Sequence, residues 1–397
     1  MRFRLGLVAC VAAGSMMLAP AAMAAGALPQ ARGSDPEAMA TLSLSASRSE
    51  VGYGSSVSLS GSSSEAGAGR EVIIESSGGG WQEVTTALTQ SSGSWSASIT
   101  PAVNSTIRAR MADDSATSDS LSIDVTPVIR VSGTPQGPAL VGVKLKARIS
   151  PASYRGSVSF SVNKSGDALG AERTRASGGQ LTASLPTPRL GQLNVVATLS
   201  AANGLSGTTT RFQIKSTARK LGRGHKGTDV AALTRKLDAL GFHTPPVGPR
   251  YTAAVGDAVL AFQKARGLPR TSKMTKRVWR KLLAAKPIKP RYRSPSLHIE
   301  VDKGKQLLMV VRGGRVIGAL HTSTGATGNT PVGRHRIIQR GGSYLYRFMA
   351  FKGNFGIHGY VPVPPYPASH GCVRLPMWAA DWVWDRVDYG TSVIVYE

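Results

Sequence analysis

Residues 296–325 read SLHIEVDKGKQLLMVVRGGRVIGALHTSTG. Short apolar runs are broken at Asp302-Lys303-Gly304 and at Gly313-Gly314, which predicts strand, turn, strand, turn, strand. Working toward the C-terminus, NFGIHG closes an apolar run at His358 and reads as a strand end. A loop stiffened by Pro362, Pro364, Pro365 and Pro367 then leads to SHGCVRL, residues 369–375. After it, LPMWAADWVWDRV reads as a helix with Pro376 in its first turn. Residues 296–397 are therefore expected to form one mainly β domain.

A chain of 397 residues is too long for one ordinary core and suggests three or four domains. Residues 286–295, rich in Pro and basic side chains, read as a linker. Upstream, over 220–285, the apolar period changes from two to that of a helix. VAALTRKLDALGF places Val230, Leu233, Leu237 and Leu240 on one face and stops at Gly241. AAVGDAVLAFQKARGL does the same with Val255, Val259 and Phe262, stopping at Gly267, and TKRVWRKLL adds Val278, Trp279 and Leu282. Three short helices make a small helical domain. Residues 41–127 and 128–215 show alternating runs such as SVSLSGS and SVSFSVN between Gly/Ser turns, which predicts two antiparallel β-sandwiches in series. Trp81 and Trp95 are expected in the first core. Residues 25–40 are small and polar, a second linker.

The first 24 residues carry Arg2 and Arg4, an apolar stretch from Leu5 to Ala22, and an Ala22-Met23-Ala24 cleavage pattern, so an exported protein is expected. The alternative is an uncleaved N-terminal anchor, and either way the chain belongs in the cell wall or periplasm. A net charge of +26 asks for a polyanion. No nucleic-acid module is visible, and an exported chain meets anionic cell-wall polymers first. Removal of the leader takes Cys10 with it and leaves Cys372 without an intramolecular partner.

A lone thiol between a His-Gly pair and an arginine admits three readings. Cys372 is a buried filler, a zinc ligand with His358 and His370, or a nucleophile whose thiolate a neighbouring imidazole supports. The paired spacings of zinc sites are missing, and Gly371 and Arg374 fit a turn better than a core strand. The nucleophile is the leading reading, with no metal and no cofactor. A helix beginning just after Cys372 would add some thiolate stability.

STGATGNTPVG from Ser323, GIHGY from Gly356 and SHGCVRL from Ser369 together resemble the YkuD-type L,D-transpeptidases, over about residues 295–397. The resemblance implies a mainly β catalytic domain with Cys372 as the acylated nucleophile and His358 as its base. It implies that the Gly359 carbonyl orients that base, and that the N–H groups of His370 and Gly371, with that of Cys372, face the oxyanion. Ser369, Arg374 and Tyr360 then shape the site and its substrate end. The implied substrates are peptidoglycan stem peptides and glycan. In the implied reaction Cys372 forms a thioester on a tetrapeptide stem, and a second stem's amine resolves it to a 3→3 cross-link. Carbapenems are implied as covalent inhibitors. Water as acceptor, giving an L,D-carboxypeptidase, and a non-enzymatic wall-binding spacer are the alternatives. The helical stretch resembles the peptidoglycan-binding domain found beside cell-wall enzymes, through Gly227, Val230, Leu233, Leu237, Ala258, Val259, Phe262, Gln263, Gly267, Leu268, Trp279 and Leu282. Gln263 and the basic residues Lys264, Arg266, Arg270 and Lys273 are its expected contacts. The two sandwiches resemble bacterial immunoglobulin-like modules by strand rhythm and length, with a spacer role.

Overall fold

The computed structural model describes residues 40–65, 67–78, 80–245 and 248–397. The expected leader and all but the last residue of the 25–40 linker lie outside them. No described helix is long and apolar enough to cross a membrane.

Each N-terminal sandwich pairs a three-stranded with a five-stranded sheet. In the first, Val57–Ser62 lies between Ser45–Ala46 and Ser94–Ile99, facing the sheet built on Glu71–Ser77 and Ser105–Met111. In the second, Val143–Ser150 is the centre of the small sheet, and Gly191–Leu199 with Ser157–Lys164 form the middle of the large one. The predicted alternation is literal in Val143–Ser150, where Val143, Leu145, Ala147 and Ile149 are buried and the residues between them face out. Trp95 is core at 2% exposure, but Trp81 is not: it is 37% exposed and lies under the Arg108 guanidinium at 4.2 Å. The reason is its strand, Trp81–Leu88, which is the outer strand of its sheet and buries none of its residues fully. Asn104 ties the sandwiches together, accepting from Val125 N–H at 2.8 Å and donating to Ser206 Oγ at 2.9 Å.

The helical stretch folds as α1 (Thr228–Ala239), α2 (Ala253–Ala265) and α3 (Lys276–Leu283). Thr252 and Thr275 cap α2 and α3, their hydroxyls accepting from the N–H groups of Val255 and Val278. The expected apolar faces meet in one core, with Phe242 edge-on to Phe262 at 5.4 Å and Trp279 1% exposed. That core does not end at the domain boundary. It continues through Leu307, Met309, Ala319 and Ile394 of the C-terminal domain.

The C-terminal domain has a five-stranded sheet, ordered Arg315–His321, Leu307–Arg312, Leu297–Asp302, Ser392–Tyr396, Gly333–Arg336. A four-stranded sheet, ordered Gln339–Arg340, Tyr346–Lys352, Phe355–Gly359, Val373–Leu375, carries the motif residues, and α4 (Met377–Trp384) packs against it. Residues 286–295 are docked rather than free. Ile288 N–H donates to the Leu240 carbonyl, and the N–H groups of Arg291 and Tyr292 donate to the fully buried Glu300 carboxylate at 2.9 and 2.7 Å. A buried carboxylate needs such donors, and here the linker backbone supplies them. Trp279→Ala should cost about 3–5 kcal/mol. Because the core is shared, calorimetry should show the helical and C-terminal domains melting in one transition that this change shifts as a whole; two separable transitions would contradict a shared core.

Candidate active site

The site is built on the parallel pairing of Phe355–Gly359 with Val373–Leu375, in which Ile357 faces Val373 and His358 faces Arg374. Side chains alternate across a strand, so Cys372, one residue before the second strand, falls on the face shared by Arg374 and His358. Cys372 is partly exposed, and its thiol points toward the Asn354 carbonyl at 3.7 Å. His358 is 3% exposed. Its Nδ1 lies 3.0 Å from the Gly359 carbonyl. A carbonyl only accepts, so Nδ1 carries the hydrogen and Nε2 keeps the lone pair. Burial, with a further contribution from the Arg374 charge, holds the His358 pKa below its usual value, and the Gly359 carbonyl opposes this only in part. Burial and that charge both favour the uncharged ring.

The turn bearing Cys372 is braced from inside. Ser369 Oγ donates to the Cys372 carbonyl at 2.5 Å and accepts from Gly371 N–H at 3.0 Å. This corrects two expectations. Ser369 is 3% exposed and shapes the turn instead of meeting a ligand, and the Gly371 N–H is occupied. The N–H groups of His370 and Cys372 meet no acceptor among the described residues. Gly371 remains necessary for another reason: its φ is +125°, and a Cβ there would lie 2.3 Å from the Phe355 ring. The expected helix-dipole contribution is also corrected. Val373–Leu375 stands between Cys372 and α4, which starts only at Met377.

The stretch from Ser323 holds the turn from outside. Thr330 Oγ1 donates to the Gly371 carbonyl at 2.7 Å, Asn329 Nδ2 to the His370 carbonyl at 2.9 Å, and Ala326 N–H to the Ser369 carbonyl at 2.8 Å. Asn329 and Thr330 were quoted in the sequence motif without a role. Their small polar side chains carried the signal, but only the fold shows which carbonyls they reach. Tyr360 is 37% exposed and stands edge-on to the His358 ring, with the Arg374 guanidinium stacked on it at 4.0 Å. Together they form a polar and aromatic wall beside the base.

Gln263 is corrected outright. It is fully buried, accepting from the N–H groups of Thr271 and Ser272 and donating to the Lys273 carbonyl, so it shapes the loop after α2 and faces no ligand. Lys264 is buried as well, whereas Arg266, Arg270 and Lys273 are exposed. Among the described residues no three His, Cys, Asp or Glu side chains gather as a metal-binding group.

The fold and this geometry define a mainly β protein with a partly exposed cysteine and an oriented, neutral histidine on neighbouring strands. Residues 296–395 match the family model of the YkuD L,D-transpeptidase catalytic domain, and residues 226–282 match that of a peptidoglycan-binding domain. Among solved structures, residues 123–326 of an L,D-transpeptidase from Xylanimonas cellulosilytica are 32% identical, covering 45% of this chain and 98% of that one, at a TM-score of 0.43. The catalytic domain of an Enterococcus faecium L,D-transpeptidase is 21% identical over 27% of this chain and 100% of that one, at 0.25. An L,D-transpeptidase from Mycobacterium smegmatis is 11% identical over 68% of this chain and 99% of that one, at 0.24. No curated protein matches the chain. Residues 296–395 are thus a catalytic domain of the YkuD L,D-transpeptidase family, preceded by a peptidoglycan-binding domain at 226–282.

Ser369→Ala removes the acceptor of one buried N–H and a donor to a buried carbonyl at once. Denaturant titration should show a loss of about 1–3 kcal/mol; a change below about 0.5 kcal/mol would mean the brace is dispensable.

Proposed function

We propose that the protein is an exported peptidoglycan L,D-transpeptidase that makes 3→3 cross-links through a thioester on Cys372. The observation that carries this reading is a partly exposed thiol at the start of the strand that pairs with the strand of His358, whose buried ring is oriented by the Gly359 carbonyl and whose pKa burial lowers. His358 takes the thiol proton, and Sγ attacks the carbonyl of the third stem residue, a diamino acid. The oxyanion is met by the N–H groups of Cys372 and His370. The C–N bond to the terminal D-Ala breaks, and the leaving amine takes the proton held by His358. The side-chain amine of a second stem then attacks the thioester and gives its proton to His358, the C–S bond breaks, and the leaving sulfur takes that proton to restore the thiol.

The helical domain and its basic surface favour retention on the wall, with anionic wall polymers as further partners. The two sandwiches set the reach of the catalytic end. A carbapenem carbonyl would acylate the same thiol, since that step needs only the nucleophile, the base and the open amides.

Incubation with a disaccharide-tetrapeptide carrying a meso-diaminopimelate stem, followed by mass spectrometry, tests this. Cross-linked dimer with released D-Ala is expected for the parent and none for Cys372→Ala. Tripeptide without dimer would make the protein a carboxypeptidase, and untouched substrate would count against both. An excess of carbapenem should add its mass to the parent alone. His358→Asn should lower acylation by about 10²–10⁴-fold. In the parent, acylation should fall with acidity through a midpoint below the usual histidine value of about 6.5, because protonation removes the base and burial lowers its pKa. A midpoint above that value would contradict a buried neutral base.

A further inference from the structure

The loop that spans from the base to the nucleophile, residues 360–368, is held by the helical domain at two points. Arg270, just after α2, donates from its guanidinium to the Pro365 carbonyl at 2.8 Å. Lys264, near the end of α2, is 3% exposed and reaches into the catalytic domain. Its Nζ lies 2.6 Å from His321 Nδ1, 2.7 Å from the Thr322 carbonyl and 3.1 Å from the Gln306 carbonyl. His321 carries the contact onward, with Nε2 3.0 Å from the Val363 carbonyl. Nε2 must therefore hold the hydrogen, and Nδ1 offers its lone pair to Lys264. Burial, with the lysine charge, pushes His321 down to about 3, in keeping with a neutral ring. Burial draws Lys264 down to about 6, against which three acceptors converge on one nitrogen and match the three protons of an ammonium.

The second branch of the node runs to the nucleophile. Thr322 Oγ1 donates to the Arg374 carbonyl at 2.6 Å, and Ser323 and Arg374 exchange backbone bonds at 2.9 and 3.1 Å, two residues from Cys372. Gln306 in turn accepts from Thr324 N–H and donates to Thr324 Oγ1. Asp257, also on α2, accepts from Trp378 of α4 at 2.9 Å. One face of the helical domain thus sits behind the catalytic machinery and reaches both the roof loop and the nucleophile's strand.

We infer that Lys264 and Arg270 are positioning residues for the transpeptidase reaction, so that the helical domain is a working part of the catalytic site and not only a wall tether. The inference rests on the transpeptidase reading, and it concerns geometry: neither residue touches the reacting atoms. Lys264 acts through His321 on Val363 and through Thr322 on the strand of Cys372, while Arg270 acts on Pro365.

The test compares the full chain with Lys264→Met, Arg270→Ala and Arg270→Lys. Three quantities are read: hydrogen exchange of peptides covering 360–369, acylation by the tetrapeptide stem, and alkylation of Cys372 by iodoacetamide, which needs a reactive thiol but no ordered substrate wall. Exchange should accelerate in Lys264→Met and Arg270→Ala. Acylation should fall at least about tenfold and about three- to tenfold respectively, since small displacements of a reacting geometry are costly. Alkylation should stay within about twofold, and Arg270→Lys should recover most of the loss. Unchanged exchange and acylation in both variants would overturn the inference, as would alkylation falling in step with acylation. Arg270 is exposed, so Arg270→Ala decides alone if Lys264→Met fails to fold. If the parent forms no acyl-enzyme, the transpeptidase reading fails while loop exchange still decides the positioning.

Discussion

The turn at Cys372 is held by side-chain hydroxyls while two of its own amides meet no acceptor among the described residues. Ser369 Oγ bridges the Gly371 N–H and the Cys372 carbonyl inside the turn, and Thr330 Oγ1 takes the Gly371 carbonyl from outside. Buried backbone groups left unpaired cost free energy, so these bonds favour one conformation of the turn over its alternatives. The two amides that remain open, those of His370 and Cys372, are then a consequence of where the hydroxyls are spent. Gly371 is the residue that lets this happen, because no side chain fits between its Cα and the Phe355 ring.

The base is prepared by different means. His358 has no carboxylate partner; its orientation comes from a carbonyl one residue away on its own strand. Burial lowers the pKa, and a neutral acceptor fixes the orientation while raising it less than a negative charge would. The uncharged ring is therefore favoured beside the Cys372 turn. That division of labour suits a ring beside the Arg374 charge, where an imidazolium would gain little support.

The same economy extends to the domain contact. The buried Glu300 carboxylate is met by backbone amides of the segment that joins the two domains, and the buried Lys264 by carbonyls and an imidazole. Both groups take partners across the boundary between helical and catalytic units, so separating them would strip Lys264 of its acceptors and leave Glu300 with only His298 and Tyr396. The continuous apolar core from Phe262 to Met309 and Ile394 works in the same direction.

By itself the sequence determined the strand and helix order and the identity of the chemical groups. Period-two runs gave the sheets, the spacing of Val230, Leu233 and Leu237 gave α1, and the three motifs around Ser323, His358 and Cys372 marked the candidate site. Those features are local, or repeat over a few residues, and hydrophobic period and turn chemistry report them directly. What tertiary structure alone decided were the partners across distance. Gln263 and Lys264 sit in an exposed-looking basic stretch, yet α2 turns both inward, one to its own following loop and one to His321 across the domain boundary. Trp81 reads as core but falls on a strand that buries little. Gly371 looked like an oxyanion donor until the Ser369 hydroxyl took its amide. In each case the deciding term is a contact between residues that the chain brings together only on folding, and no local pattern encodes which neighbour a polar atom will find.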